Sequence, residues 1–456
     1  MNLCKSHKGA VLIISMIFML IFSALAVSMA TISGTNTQIA ANQRKVNCAR
    51  ACAESGLDII RLWSNQVAIP GDTPESQRFD LIAGSFQSSV NSISSITPYY
   101  DSSSITIPTV TLDSTVTQSF SAQITPIDSE TLQVNITGMY GELTKTISVN
   151  FVFGTRAHTA FDFGIATRGP LSLTGNVELG GANVSVESGV YIESEDSLLA
   201  LSMTGNCQIA GDVSIANPSA YVNIEGNSQI GGETGQDAID NHVSFGAPST
   251  EFPTPNPAHF EDYATNIVDS ATDTSTDATF ENIRIVAGTD PNFSGNITLN
   301  GIVFIETPNV VTFSGNTTIT GIIVGNGSLE DNSGSNQINF LGNVDSYDVN
   351  TLPNEPQFAG IRNETGTFVL APGFHLSFGG NFSTLSGAIA GNGIEFFGNA
   401  GGTINGSIIN YSDEEMILSG NSDLCFNRSG ITQIPAGFVP EIVLQYEPAS
   451  YSEIQL

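Results

Sequence analysis

Residues 10–30 read AVLIISMIFMLIFSALAVSMA, twenty-one positions without one charged side chain. At about 1.5 Å per residue, a helix of that length crosses a hydrocarbon core of about 30 Å. Lys5, His7 and Lys8 precede the stretch, and no positive charge follows until Arg44. Basic flanks stay on the cytoplasmic side, so this asymmetry keeps the N-terminus inside and sends the downstream chain outward. A cleaved secretory signal would carry an apolar region of only roughly 7–15 residues ending at small residues. Here the run is longer, and Gly9 lies ahead of it, where a peptidase can remove the basic leader and leave the helix in place.

The helical pattern continues past the apolar run. No Pro occurs from Thr35 to Trp63, and apolar residues recur at Ile39, Val46, Ala49, Ala53, Leu57, Ile60 and Leu62. Intervals of mostly three, four and seven describe one buried helix face. Gly56 costs about 1 kcal/mol in a helix interior, less than packing returns. An uncleaved signal anchor holding an unrelated exported domain is the alternative reading, but such an anchor is more often followed by a flexible polar linker.

A Lys-Gly leader, an apolar helix and an amphipathic extension together resemble a type IV prepilin. The Gly-Ala-Val-Leu start, Ala40-Ala41-Asn42 and the Ala-Glu-Ser-Gly-Leu turn at 53–57 resemble PilX-type minor pilins and the related large pseudopilin of type II secretion. The resemblance implies cleavage between Gly9 and Ala10 by a prepilin peptidase. It implies insertion in a bacterial inner membrane with the C-terminal region outside, association with other pilins and minor pilins through the helix, and later display on the cell surface in a pilus. It departs from the family at the fifth mature position, where major pilins carry a Glu that pairs with a neighbour's amino terminus. Here that position is Ile14, which leaves no buried carboxylate to satisfy and suits a tip subunit with no neighbour above it.

Composition limits the partners. The chain has 456 residues with 44 acidic and 13 basic side chains, a formal net charge of −31. No Lys follows Lys145, and past residue 156 only Arg168, Arg284, Arg362 and Arg428 remain. That supply cannot build a phosphate-neutralising patch, so nucleic acid is excluded as a partner. Repulsion also disfavours anionic membranes and acidic polysaccharides. Cys4 falls in the leader; Cys48 and Cys52 sit one helical turn apart, where a mutual disulfide would be strained; Cys207 and Cys425 are isolated and read as buried free thiols. No Cys/His metal spacing occurs, and no cofactor is expected.

Downstream, residues 67–115 are rich in Ser, Thr, Pro and Asp and read as loops around short strands. SFSAQITPI, TLQVNITGM and LTKTISVNFVF, over 119–153, alternate with short connections and read as an antiparallel meander. With the helix they make a pilin-like α+β headpiece over 67–155.

From about 160 to 440 the dipeptide Gly-Asn recurs: Gly175-Asn176, Gly205-Asn206, Gly226-Asn227, Gly295-Asn296, Gly315-Asn316, Gly342-Asn343, Gly380-Asn381, Gly398-Asn399 and Gly420-Asn421. A period near 20 with Gly at the corners is the signature of a solenoid. Gly and Asn tolerate φ > 0 and can turn the chain at a coil corner. The pattern predicts a mainly β, right-handed parallel β-helix with stacked, hydrogen-bonded Asn side chains. Inward residues are expected at Ile209, Ile230, Leu299, Ile319, Leu385 and Ile404. An antiparallel sandwich is the competitor, with turns every 8–12 residues. The repeat is interrupted over about 233–282, where HFEDYATNIVDSA has helical spacing. His242, His259, Glu261 and Asp262 there form the one neighbourhood where a metal could bind, without a recognised ligand spacing. Residues 441–456 read as a C-terminal tail.

No GxSxG, HExxH or phosphate-binding Gly loop is present. A polysaccharide lyase or hydrolase on a β-helix is the rival function. A hydrolase needs only paired carboxylates, yet Asp345 with Asp348, or Glu178 with Glu187, read equally well as solvated rim residues. The sequence therefore points to a non-enzymatic minor pilin, at the tip, whose β-helical head binds a surface protein or a neutral glycan.

Overall fold

The computed structural model describes residues 8–71, 73–93, 96–115, 117–195, 197–331, 334–429 and 434–454. It divides into two units. One holds residues up to 69, 73–154 and 442–456; the other holds 70–72 and 155–441.

The first unit is built on helix α1, Lys8–Ser64. Its buried face is Ala49, Cys52, Ala53, Leu57, Ile60 and Trp63, whereas Ile39 and Leu62 are exposed, so the buried stripe is shorter and turned slightly from the one read in the sequence. Small residues set how closely helix and sheet approach. A Cβ on Gly138 would lie 2.1 Å from the Ala49 carbonyl oxygen, and one on Gly56 would lie 2.7 Å from the Phe120 ring. Gly56 is thus a packing requirement as well as a helix cost. The meander is present as strands Gln118–Pro126, Thr131–Tyr140 and Leu143–Arg156, paired antiparallel.

Two expectations fail in this unit. Residues 67–115 are not mainly loop: α2 spans Glu75–Ile93 and a nine-residue strand spans Ile105–Asp113. Ile82, Ala83, Phe86 and Val90 of α2 are buried, with the Phe86 ring 5.9 Å from Trp63 and perpendicular to it. Their three- and four-residue spacing outweighs the helix-neutral Ser and Asn around them. Nor is 441–456 a tail. Glu441–Ile454 is a strand lying between Ala68–Pro70 and Leu143–Arg156 in the seven-stranded antiparallel sheet, with Ile442 and Leu444 buried in the core. Glu453 on that strand sits 3.1 Å from both Arg50 and Lys145.

The second unit is mostly β, with sheets of twelve, nine and seven strands that are parallel apart from one antiparallel pair, Gln229–Ile230 with Glu233–Thr234, in the third. The chain visits them in turn: Ile165–Thr167 joins the twelve-stranded sheet, Leu171–Gly175 the nine-stranded, and Glu178–Gly181 the third. The next coil repeats the visit with Val190–Ile192, Leu199–Gly205 and Gln208–Ile209. All pairs in the first two sheets are parallel, for example Val190 opposite Ile165 and Met203 opposite Leu173. Among the described residues no sandwich of hairpins is formed. Ile209, Ile230, Leu299, Ile319, Leu385 and Ile404 are buried between the sheets.

The stacking order is not the sequence order. From Ile165–Thr167 the coils climb one way to Val243–Phe245. The chain then restarts at the far end with Asn266–Val268 and winds back until Ile408–Asn410 pairs with Ile165–Thr167. Residues 233–282 are therefore only partly an interruption, since Val243–Phe245, Asn266–Val268 and Ala278–Ile285 all join the twelve-stranded sheet. The helical spacing after the Pro-rich stretch yields a 3-10 helix, Pro257–Tyr263, which ends before Ile267, an exposed strand residue.

The continuous apolar runs such as GIVFIE and GAIAGNG follow from burial on both faces. On the side away from the interior, Tyr191, Phe304, Val324, Leu370 and Ile409 pack beneath Phe252, Phe260, Phe358, Ile361 and Phe438. On the outer face of the nine-stranded sheet Ser172, Ser202, Asn223, Thr312 and Asn339 stay partly exposed.

Candidate assembly helix and recognition surface

Gly9 and Ala10 fall in the first turn of α1, and residues 1–7 of the leader lie outside the described residues. The apolar side chains from Val11 to Ile39 are exposed, Ile14 at 53 %. Ser15, Ser23 and Thr31 return their hydroxyls to the carbonyls of Leu12, Leu20 and Val27 at 2.8–2.9 Å. A hydroxyl bonded to its own helix leaves no polar group unsatisfied in lipid. This segment is the one helix among the described residues long and apolar enough to cross a membrane.

In the second unit the Gly-Asn corners stack between the nine-stranded sheet and the strands that follow it. Asn227 donates to Asn206, Asn206 to Asn176, Asn176 to Asn421 and Asn421 to Asn399, at 2.9–3.2 Å. A second run goes from Asn343 to Asn316 to Asn296 and on to Asp277, at 2.9–3.1 Å. Asn381 lies beside it, its carbonyl accepting from the Val344 N–H. All of these side-chain bonds run in the same direction along the stack, and the second run ends on a carboxylate, which can only accept. The Asn296 backbone N–H, then its side-chain amide, hold Asp277 below the usual carboxylate range.

The corner glycines serve for two different reasons. Gly175, Gly205, Gly226, Gly398 and Gly420 have φ between +72° and +116°, the region that favours Gly. Gly295, Gly315, Gly342 and Gly380 do not, contrary to the sequence expectation. There the requirement is close approach: a Cβ on Gly342 would lie 1.9 Å from the Gly315 carbonyl oxygen.

Replacing Asn316 by Ala removes two bonds in the middle of a run and is expected to lower stability by about 1 kcal/mol. Asn316→Asp should cost more, because a carboxylate cannot donate to Asn296 Oδ1. Urea midpoints followed by far-UV circular dichroism measure both; an Asp variant equal to or better than the Ala variant would contradict the directional ladder.

The Asn and Gly columns line an open groove of about 690 Å³, with Ser294 and Ser314 on one wall. Backbone and side-chain dipoles line it, with Asp277 the one charged residue. The other candidate residues are dispersed. His242 Nδ1 is 2.7 Å from Asp212, whereas His259 Nε2 is 3.0 Å from Glu364, and Glu261 pairs with Arg284 at 3.0 Å. Among the described residues no three His, Cys, Asp or Glu side chains form a group able to hold a metal. Glu187 is not a solvated rim residue: it is buried and accepts from the backbone of Asn183, Val184 and Arg428. Burial alone would raise its pKa, and these bonds outweigh it and hold the carboxyl low. Asp345 is tied to Ser383 at 2.5 Å and Asp348 caps a 3-10 turn. The described cysteines are free, with Cys52 and Cys207 buried and Cys48 and Cys425 half-buried.

The opposite corner, between the twelve- and nine-stranded sheets, carries no sequence motif. Arg168, Asn336, His375, Asn392 and Asp413 line a cavity of about 440 Å³ there. The available signal was scarcity, since Arg168 is one of four cations after residue 156 apart from His.

Residues 8–58 match the PilX N-terminal family, so the N-terminal segment is type IV pilin-like. No curated protein matches the chain. A solved structure, the competence-associated pilin ComZ from Thermus thermophilus, aligns over 90% of this chain and 97% of its own at 11% identity, with a TM-score of 0.22. A likeness of that size carries no weight for fold or function.

Proposed function

We propose that this protein is a minor pilin of a type IV pilus-like filament, held in the inner membrane by α1 before assembly and carrying a right-handed parallel β-helix that recognises a surface from the filament tip. The observation that carries the reading is the coincidence of the PilX-like match at 8–58 with a helix whose first part is exposed and apolar and whose second part packs on a meander. The exposed part is the partner surface for other pilins and for the bilayer. Ile14, which cannot offer a carboxylate to a neighbour's amino terminus, supports the tip over the shaft. Strands that visit three parallel sheets in turn support the β-helix, and a right-handed crossover is the near-universal choice for parallel strands. The uncovered Ser/Thr/Asn face and the Asn-lined groove support binding rather than catalysis, since hydroxyls and amides hydrogen-bond a ligand without supplying a general base.

One experiment tests the reading. Membrane-derived protein is analysed by N-terminal mass spectrometry, and sheared filaments are blotted for this chain and the major pilin. The expected result is a mature start at Ala10 with the chain a small fraction of the major pilin, unimproved by Ile14→Glu. An intact leader with no protein in the sheared fraction would make it an anchored surface protein unrelated to pili. Near-equal amounts would place it in the shaft.

A further inference from the structure

We propose that the cleft along the corner between the twelve- and nine-stranded sheets, lined by Arg168, Asn336, His375, Asn392, Asp413 and Glu414, binds an uncharged oligosaccharide. The inference rests on reading residues 160–440 as a binding unit but is independent of where the chain sits in a filament.

The shape comes from the stacking. Residue 168 follows Ile165–Thr167, which pairs with Ile408–Asn410, then Ala388–Gly391, Thr367–Ala371 and Asn316–Asn326. The turns after these five strands supply the lining: Arg168, then 411–415, 392–393, 373–375 and 336–337. At one strand spacing per coil the lining extends over roughly 19 Å. A site of that form fits an extended chain of similar units rather than a compact molecule.

The chemistry is set by which groups are already occupied. Arg284 is paired with Glu261 and Glu306, and Arg428 donates to three backbone carbonyls. Arg168 differs. Its guanidinium lies 5.2 Å from the Phe252 ring centre and 5.9 Å from that of Tyr411, which fixes its plane. Its ionic partner, Glu193, is 3.8 Å away, too far for a hydrogen bond. Tyr411 is itself anchored, donating to the Pro253 carbonyl at 2.5 Å. The result is a preorganised set of donors at a cavity wall. On the same wall Asp413, Glu414 and Glu415 are exposed acceptors, and the His375 imidazole stands 3.7 Å from Glu395.

A ligand for this cleft can accept from a guanidinium and donate to carboxylates that line the same cavity. Hydroxyl groups do both. An anionic chain would meet Asp413, Glu414 and Glu415 and a net charge of −31. A polycation could pair with the carboxylates but offers no acceptor to the Arg168 guanidinium. An uncharged polyol chain escapes both penalties.

The test uses the full chain in detergent micelles. Isothermal titration is run with neutral pentasaccharides of the gluco-, manno-, galacto- and N-acetylglucosamine series, with oligogalacturonate, and with oligolysine. The expected result is binding of at least one neutral series, weakened tenfold or more by Arg168→Ala and by Glu414→Ala, and unchanged by Ser270→Ala, at an exposed position that lines neither the cleft nor the Asn-lined groove. Glu414 is exposed, so its variant keeps the test valid if Arg168→Ala unfolds. The proposal is overturned if no neutral series binds, if binding survives Glu414→Ala and a folded Arg168→Ala undiminished, or if only oligogalacturonate or oligolysine binds. Filament incorporation is read separately, so a chain found in filaments that binds no neutral glycan would remove this inference and leave the pilin reading standing.

Discussion

Replacing Phe340 by Ala lowers the stability of the 155–441 unit by about 3–5 kcal/mol. The Phe340 ring is 2 % exposed and is the middle member of a stack. It lies 5.2 Å from Phe313 at 12° and 4.7 Å from Phe378 at 14°, with Phe293 and Phe396 continuing the column on either side. Truncation leaves a hole between two rings held by ladder hydrogen bonds above and below, so the walls cannot close on it, and the cost falls at the upper end. The neighbouring Leu341 is 48 % exposed, and Leu341→Ala should change stability by no more than about 0.5 kcal/mol. The readouts separate by unit. Trp63, the single Trp, belongs to the other unit, so its fluorescence follows that unit while far-UV circular dichroism is dominated by the parallel strands. A large shift in the dichroism midpoint with the Trp63 transition in place is the expected result. Equal behaviour of Phe340→Ala and Leu341→Ala would contradict it.

Glu441→Gln is expected to cost about 3 kcal/mol at neutral pH, the lower end for a broken buried pair, because Arg156 is 42 % exposed and can regain water. The carboxylate is 5 % exposed and lies 2.7 Å from Arg156 Nε and 3.0 Å from the buried His158 Nδ1. Burial pushes its pKa up, but the contacts with His158 and Arg156 outweigh burial and hold it below the ordinary value. A carboxyl held low in the folded state contributes fully above its unfolded pKa, about 4.3, and loses that contribution as pH falls through the folded value. The wild-type advantage over Glu441→Gln should therefore be largest at neutral pH and shrink on acidification below about pH 4.3. Urea midpoints at pH 7 and pH 3.5 measure it. A gap between the two proteins that is the same at both would show that packing, not charge, makes the difference.

The helix, the meander and the mostly β character of the region that carries the Gly-Asn dipeptides were legible because each rests on a local period. Helix α2 was obscured by composition: Phe79, Ile82, Ala83, Phe86 and Val90 keep helical spacing, but Ser85, Ser88, Ser89 and Asn91 around them read as loop. The order of stacking had no local signal of the usual kind, since one parallel edge resembles another. A subtler one was present. Two residues before each Gly-Asn comes Phe at 293, 313, 340, 378 and 396, but an aliphatic residue at 173, 203, 224 and 418. Leu418 thus belongs with the first coils, and its strand does pair with that of Leu173. The left-handed corners sort Gly420 the same way, with Gly175, Gly205 and Gly226, and they add its spatial neighbour Gly398, which follows Phe396. Coil type follows spatial neighbourhood rather than sequence order. The Arg168 cleft was invisible for a related reason: its wall comes from five turns whose adjacency exists only once the coils are stacked.

Strand Glu441–Ile454 lies inside the sheet that packs on α1, and the ribosome reaches it only after all of residues 155–440. Helix α1 is therefore made early, and the sheet beside it lacks an interior member until residues 155–440 have been made. Ile442 and Leu444 then fill the remaining core, and Glu453 joins Arg50 to Lys145. A chain whose synthesis stops before residue 441 lacks this strand, so completion of the first unit depends on synthesis of the whole intervening region.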